Sequence, residues 1–562
     1  MEAVQRTRLA VQRRSAGLAR ETWLLVVVTL CLLVVTSIPV AYGYLTTPPD
    51  KWFSGVVYNV HDTAQYFSWM RESGWALFIE NRLTSEPNRP IYLNLHWWIP
   101  GRFAALAGLS LSQVYQLFRL LTVPLVVAAL YFFCRRLFRD RSRRRFAFLL
   151  ATLTSGLGWV WVVEKYLISP HTLDFPRDVY TLAGNSLWVM TATPHLAFAL
   201  AVTLFVLLLA FEGYRRGGAW PVAAGLVALF LGMGHIYDLV TVWAVLGLFG
   251  LLVTLRDGWS WRTFWRLAVV VLLSAPAPLY WGWVASDANP MWKQALAQYD
   301  NLGVFTPDPA HLLILLGLPF LVALVTFNGV VPLRCQTDKQ LFTKGWFGVT
   351  LLLIYLPFRF RIMLLTGYQL PMAVLATWGL FDHILPWLQE RVGGVRTGIA
   401  SLLNRDRLGR WVPLLFLLAV LPTNLYLVAW RVIDLGRHDY PYYLYQDEVK
   451  ALRWLEENTD PDEVVLSSFT VGHYIPGFAG NRPFLANAVM TMDSHQKEQM
   501  VAAFFDPATP EAEREALLRR YGVRYLFYGP AERALGGYNL ASSPLFEEVF
   551  SSGEVRVYGV RR

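Results

Sequence analysis

Long apolar runs alternate with short basic segments along most of this chain. The first run, from about Trp23 to Tyr44, follows a stretch holding Arg6, Arg8, Arg13, Arg14 and Arg20. It is longer than the roughly 7–15 residues of a signal-peptide core, so it predicts an uncleaved first membrane helix. Further runs lie at about 112–134, 146–164, 194–213, 219–235, 236–255, 265–285, 309–331, 346–358, 362–381 and 411–430. Each is near the ~20 residues a helix needs to cross a bilayer. The pattern predicts an α-helical polytopic membrane protein of about eleven spans.

Two segments break the pattern: a long first loop, 46–111, and a tail, 431–562. In the tail, "DEVKALRWLEEN" has helical amphipathicity, while "EVVLSS" and "RYLFYG" are short β-type runs bounded by turn formers. "PLFEEVFSSGEVRVYGV" reads as a hairpin around Ser552 and Gly553. The expected organisation is a membrane unit, 1–430, that includes the long loop, followed by a small external α/β domain, 431–562.

Charge fixes an orientation. One set of loops holds Arg135, Arg136, Arg139, Arg141, Arg143, Arg144 and Arg145. To these it adds Arg215, Arg216, Arg256, Arg262, Arg266, Arg334, Lys339 and Lys344, then Arg391, Arg396, Arg405, Arg407 and Arg410. The alternate loops are poorer in Lys and Arg, which predicts a cytoplasmic N-terminus and an external C-terminus. The net charge of +10 is spent in these loops and builds no single basic face, so nucleic acid is not an expected partner. Hydrophobic residues make up 55% of the chain and charged residues 16%, which marks the bilayer as its main solvent. The tail has no cysteine, and Cys31, Cys134 and Cys335 fall in membrane or cytoplasmic segments, so no disulfide is expected.

Candidate chemistry gathers at the external ends of the spans. In "YNVHDTAQYFSWMRESG", Asp62, Gln65, Tyr66 and Trp69 share one helical face. A helix there would lie on the membrane with Phe67 and Met70 toward lipid. Asp62 reads either as a helix cap or as a reactive carboxylate, with His61 beside it. Glu86, Arg89, His96, Trp97 and Trp98 follow in the same loop, the Trp pair reading as an interface anchor or a sugar platform. "TATPHLAFAL" starts a span with His195. "GMGHIYDLVTVW" sets His235 and Asp238 one turn apart, where burial requires a partner or water. A His–Asp hydrogen bond explains that pair; a metal site needs a third ligand, for which Asp62 is the candidate. Arg359 and Arg361, in "LPFRFRIMLLTGYQLPMAV", lie at an external mouth. They read as phosphate binders or as side chains snorkelling to headgroups, Arg361 being favoured for a site if the segment is helical. Tyr368 and Gln369 in that motif, and Lys293 and Tyr299 in "NPMWKQALAQYDNLGVF", are further candidates.

The outward first helix, long external loop with an early acidic residue, many spans and α/β tail resemble the GT-C superfamily of membrane glycosyltransferases, including protein O-mannosyltransferases and lipid A aminoarabinose transferases. "HDTAQYFSWMRE" and "RFRIMLLTGYQLPMAV" carry the resemblance. It departs from the family in having His61-Asp62 where an Asp-Glu pair is common. The tail also lacks the Trp-Trp-Asp signature of oligosaccharyltransferases. The resemblance implies a bacterial inner-membrane enzyme that transfers a sugar from a polyprenyl-phosphate donor to a glycan, lipid or protein acceptor at the external face. Asp62 would be its general base and Arg359 or Arg361 its phosphate binder. His61, Tyr66, Glu86, His195, His235, Asp238, Lys293, Tyr368 and Gln369 would be substrate-binding candidates. A divalent cation, Mg2+ or Mn2+, is a candidate cofactor at Asp62, His235 and Asp238. A lipid or solute transporter, and a non-catalytic scaffold of the same fold, are the competing readings.

Overall fold

The computed structural model describes residues 2–168, 181–302, 305–329, 331–393 and 405–561. Arg396 lies outside them, as do the side chains of Arg6, Arg8, Arg13 and Arg14. Among the described residues, seven helices have the length and apolar character to cross a membrane: Ala19–Thr46, Leu111–Leu137, Pro194–Arg216, Ile236–Asp257, Trp261–Val284, Pro309–Phe327 and Arg405–Leu435. An eighth is reached if Arg141–Leu153 and Gly158–Leu167, bent by 42°, form one span.

The other expected spans are shorter or shifted. Residues 219–235 give the 13-residue helix Trp220–Gly232. The run at 346–358 belongs to Asp338–Leu353, which starts in polar sequence behind a Thr337–Gln340 capping box. The run at 362–381 opens with a 3-10 turn, Arg361–Leu365, and its helix begins only at Gln369. The breaks have a common cause. Gly234 with His235, and Pro357 with Arg359 and Arg361, interrupt the apolar pattern, and irregular backbone within a bundle is tolerated where it lines a cavity.

The basic loops collect at one end of the bundle. Glu21, at the base of the first long helix, pairs with Arg144 at 2.8 Å and Arg145 at 2.9 Å. Arg256 pairs with Asp338 at 2.6 Å. Lys339 donates to the Leu137 carbonyl at 2.6 Å.

At the other end the first loop and the tail interlock. Strand β1 (Lys51–Phe53) of the loop pairs antiparallel with β2 (Tyr443–Tyr445) of the tail, Trp52 opposite Leu444. Five strands, β3 (Val464–Leu466), β4 (Arg482–Pro483), β5 (Val523–Tyr528), β6 (Phe546–Ser552) and β7 (Val555–Val560), form a sheet in the order β4-β3-β5-β7-β6. β3 runs parallel to β4 and β5, and β7 is antiparallel to β5 and β6. The expected hairpin is β6–β7, turning at Gly553 in the positive-φ region that glycine adopts freely. The helix Gln446–Asn458 buries Ala451, Leu452 and Leu455, as its pattern predicts.

Loop and tail share one apolar core in which Phe67, Met70 and Trp97 pack with Val465, Ile475, Met490 and Phe527. This corrects the lipid-facing placement of Phe67 and Met70 on the helix Val60–Ser73. Phe67 and Met70 are each 1% exposed, and the Phe67 ring meets Tyr115 and Phe478 edge-on at 5.6 Å. The helix is buried on both sides because Leu95–Ala107 crosses it closely. A β-carbon at Gly101 would collide with the Met70 carbonyl, so only glycine permits that approach.

Candidate active site

The helix Val60–Ser73 begins after Asn59, which holds a left-handed conformation (φ 44°, ψ 62°) that asparagine tolerates better than most residues. Asn59 makes no side-chain cap; its amide instead donates to the Asp62 carboxylate. Asp62 is therefore a first-turn residue and not the cap. Its side chain stands on the wall of a cavity of about 660 Å³. Burial there pushes the carboxyl up to about 6, against the opposing hydrogen bond from Asn59.

The rest of the wall comes from several distant segments. The first loop adds Tyr66, Trp69, Tyr92, Asn94 and Trp97; the membrane helices add His195, His235, Tyr237 and Trp281; the segment near 296–299 adds Tyr299. The Tyr66 and Trp97 rings stack at 4.4 Å and 12°, and His195 lies 4.4 Å from Tyr66 and 5.2 Å from Trp97. Pro194 at the first helical position, where its missing N–H is harmless, sets His195 at the mouth of its span. His235 precedes the next span, 3.3 Å through Nδ1 from Asp238 Oδ2. Its ring lies 5.3 Å from His96 and 5.4 Å from His195. Gly234 makes room for His96, whose ring would collide with a β-carbon there.

Arg359 is the cationic member of the wall among the described residues. It sits in the turn before Arg361–Leu365, between Phe358 and Phe360, which stack at 5.7 Å. Its guanidinium donates to the Ala297 carbonyl, a restraint that leaves its remaining donors free to face a ligand. Arg361, favoured on a helical reading, is not on the wall; the turn at 359–360 sends it elsewhere, and its Nε is buried without a hydrogen-bond partner among the described residues.

The remaining candidates lie off the cavity. The His61 ring lies 4.1 Å from that of His473, tilted by 42°. Glu86 accepts from Lys497 at 2.8 Å. Lys293 pairs with Asp287 at the surface. Tyr368 packs on Phe347 at 5.2 Å, and Gln369 donates to the Ala183 carbonyl at 2.6 Å. Asp238 is wholly buried behind His235. Among the described residues no three His, Cys, Asp or Glu side chains gather as a metal-ligand set, Asp62, His235 and Asp238 included. The sequence reading gave no role to Tyr237, Trp281, Val489 or Met490, all of which line the cavity. No spacing marks them, since tertiary packing alone brings them in.

A family model described as a family of unknown function (DUF6541) matches residues 357–562. Curated protein sequences give no significant match. Among solved structures, the chain is similar to ArnT from Cupriavidus metallidurans bound to undecaprenyl phosphate, with a TM-score of 0.51 and 15% identity over 96% of this chain and 97% of that one. The apo form of that protein gives 0.50 and 14% over 97% and 98%. It is also similar to the Archaeoglobus fulgidus oligosaccharyltransferase tethered to an acceptor peptide, with a TM-score of 0.51 and 15% identity over 89% of this chain and 69% of that one. These likenesses show the fold: the chain shares the architecture of these two proteins, and among the described residues seven helices are long and apolar enough to cross a membrane.

Proposed function

We propose that this protein is a membrane glycosyltransferase that moves a sugar from a polyprenyl-phosphate carrier to an acceptor at the external face. The observation that carries this reading is the presence of Asp62 and Arg359 on one cavity within a GT-C fold. In the reaction, the acceptor hydroxyl oxygen attacks the anomeric carbon. The bond from that carbon to the phosphate oxygen breaks, and the lipid phosphate leaves with the electron pair. Asp62 takes the hydroxyl proton, a task suited to a carboxyl with its affinity raised toward neutrality. Arg359 stabilises the charge that gathers on the departing phosphate, as a guanidinium can without proton exchange. The described residues do not form a metal-ligand set, and the Arg359 guanidinium supplies the positive charge at the phosphate.

The clustering of the basic loops at the end of the bundle holding Glu21 supports a cytoplasmic N-terminus. In that orientation the cavity, the first loop and the tail from residue 431 face outward, in a bacterial inner membrane. Undecaprenyl phosphate in the Cupriavidus ArnT structure supports the donor class.

The test is transfer by the full chain in nanodiscs, using an undecaprenyl-phosphate-linked sugar and membrane-extract acceptors. Asp62→Asn should lower transfer by roughly 10²–10⁴-fold with lipid-phosphate binding retained. Undiminished transfer by that variant removes Asp62 as the base.

A further inference from the structure

The floor of the cavity carries a buried imidazole nitrogen without a partner among the described residues. His195 is 6% exposed and His96 1% exposed. Among the described residues, His195 Nδ1 on the wall and, off the wall, both ring nitrogens of His96 have no hydrogen-bond partner. A buried polar group without a partner is costly enough that its neighbourhood needs a reason. His195 lines the cavity itself, against the stacked Tyr66 and Trp97 rings, with His235 beside it. An apolar ring face next to nitrogens able to donate or accept is the pairing that a sugar ring matches, with C–H faces for the aromatics and hydroxyls for the imidazoles.

The charges on the wall narrow the class. Among the described residues lining the cavity, Asp62 is the one carboxylate and Arg359 the one guanidinium. The transferase reading uses both, one at the acceptor hydroxyl and one at the phosphate. Three amides line the wall: Gln65, Asn59, which donates to the Asp62 carboxylate, and Asn94, which donates to the Gly234 carbonyl at 3.0 Å and accepts from the His96 amide at 3.1 Å. A cationic amino sugar would lack a second carboxylate, and a uronate would lack a second cation.

We infer that the His195–Tyr66–Trp97 floor, with His235, is the subsite for the donor's sugar ring and that the ring is uncharged. The inference rests on the transferase reading and names the substrate class of that same site. His195 then contributes to the sugar and not to the phosphate.

The experiment separates the two parts. The full-length protein in nanodiscs is titrated with bare undecaprenyl phosphate and with the same lipid phosphate carrying a neutral hexose, a 4-amino-pentose or a hexuronate. The wild-type protein should bind the neutral hexose donor about tenfold more tightly than the bare lipid, the increment expected of one or two well-placed hydrogen bonds. His195→Phe, which keeps an aromatic ring, should erase that increment and leave bare lipid binding unchanged. His195→Gln, which keeps a donor and an acceptor, should restore most of it. Equal losses on bare and glycosylated lipid would make His195 structural and overturn the subsite. Tighter binding of either charged donor would overturn the neutral class. A wild-type protein that binds bare lipid phosphate but gains nothing from any sugar overturns the subsite and leaves the lipid-phosphate reading standing. One that does not bind bare undecaprenyl phosphate overturns the transferase reading and the subsite with it.

Discussion

The Asn59 side-chain amide donates to the Asp62 carboxylate across the first turn of the helix Val60–Ser73. The bond favours the ionised carboxylate, against the burial that pushes the group up to about 6. Transfer should therefore rise about tenfold per pH unit below pH 6 and level off above it. Asn59→Leu removes the bond, so the acid limb should move to higher pH with the plateau rate little changed. A pH–rate profile of the two proteins checks it.

The same carboxyl makes a stability prediction. Its folded affinity for protons exceeds the unfolded one, so the folded state holds a proton that the unfolded chain has lost between about pH 4 and pH 6. Stability should fall as pH rises through that window and stay lower above it. Asp62→Asn removes the effect: its melting temperature should exceed wild type at pH 8 and match it below pH 4. Melting curves at the two pH values decide it.

Arg359 and Arg361 should behave differently although two positions apart. Arg359→Ala should weaken undecaprenyl phosphate binding by roughly 10- to 100-fold, the range of one charge-assisted hydrogen bond. Arg359→Lys should recover part of the loss, a point charge replacing a fork. Arg361→Ala should leave lipid binding within about twofold of wild type, since Arg361 is not on the cavity wall. Equilibrium titration in nanodiscs gives the three constants.

Lys497 joins the tail to the first loop. Its ammonium, 2% exposed, sits 2.8 Å from Glu86 and 2.8 Å from Ser85 Oγ. Glu86→Gln strands that charge and should destabilise the protein by about 3 kcal/mol. Burial alone would raise the Glu86 carboxyl, yet the Lys497 charge together with hydrogen bonds from Lys497, Thr84 and the backbone outweighs it and holds the group below its usual range. The pair's contribution is thus full above the ordinary glutamate value and lost as pH falls through the lowered one. Thermal unfolding of wild type and Glu86→Gln should converge in acid.

His61 and His473 join the same two segments, their Nδ1 atoms 3.4 Å apart. Burial holds both imidazoles below their usual range, with the charge of His61 adding to the effect at His473. The unfolded chain binds protons that the folded one resists, so stability should drop as pH falls below about 6.5. His473→Phe should flatten that drop, as unfolding curves between pH 5 and pH 8 would show.

Much of the bundle was legible because apolar runs of span length and basic loops are local signals. The hairpin at Gly553 and the helix Gln446–Asn458 were legible for the same reason, their periodicity being contained in a few turns or strands. Phe67 and Met70 misled because the pattern identifies an apolar face without naming what covers it, and the covering came from Leu95–Ala107 and the tail. In the site, Asp62, Tyr66, His195, His235 and Arg359 could be chosen as polar or aromatic groups at span ends, and the fold brings them onto one cavity. Glu86 and Lys293 had the same local credentials but are paired elsewhere. Arg361 was preferred over Arg359 on a helical assumption that the turn at 359–360 breaks. Tyr237 and Met490 carry no sequence mark at all.

The most direct measurement is the position of the phosphate in the full-length protein, determined by electron microscopy in nanodiscs soaked with undecaprenyl phosphate. Phosphate density should lie within hydrogen-bond reach of the Arg359 guanidinium, opening onto the cavity that Asp62 lines. Phosphate held away from Arg359, or at the bundle end where Glu21 meets Arg144, would contradict it.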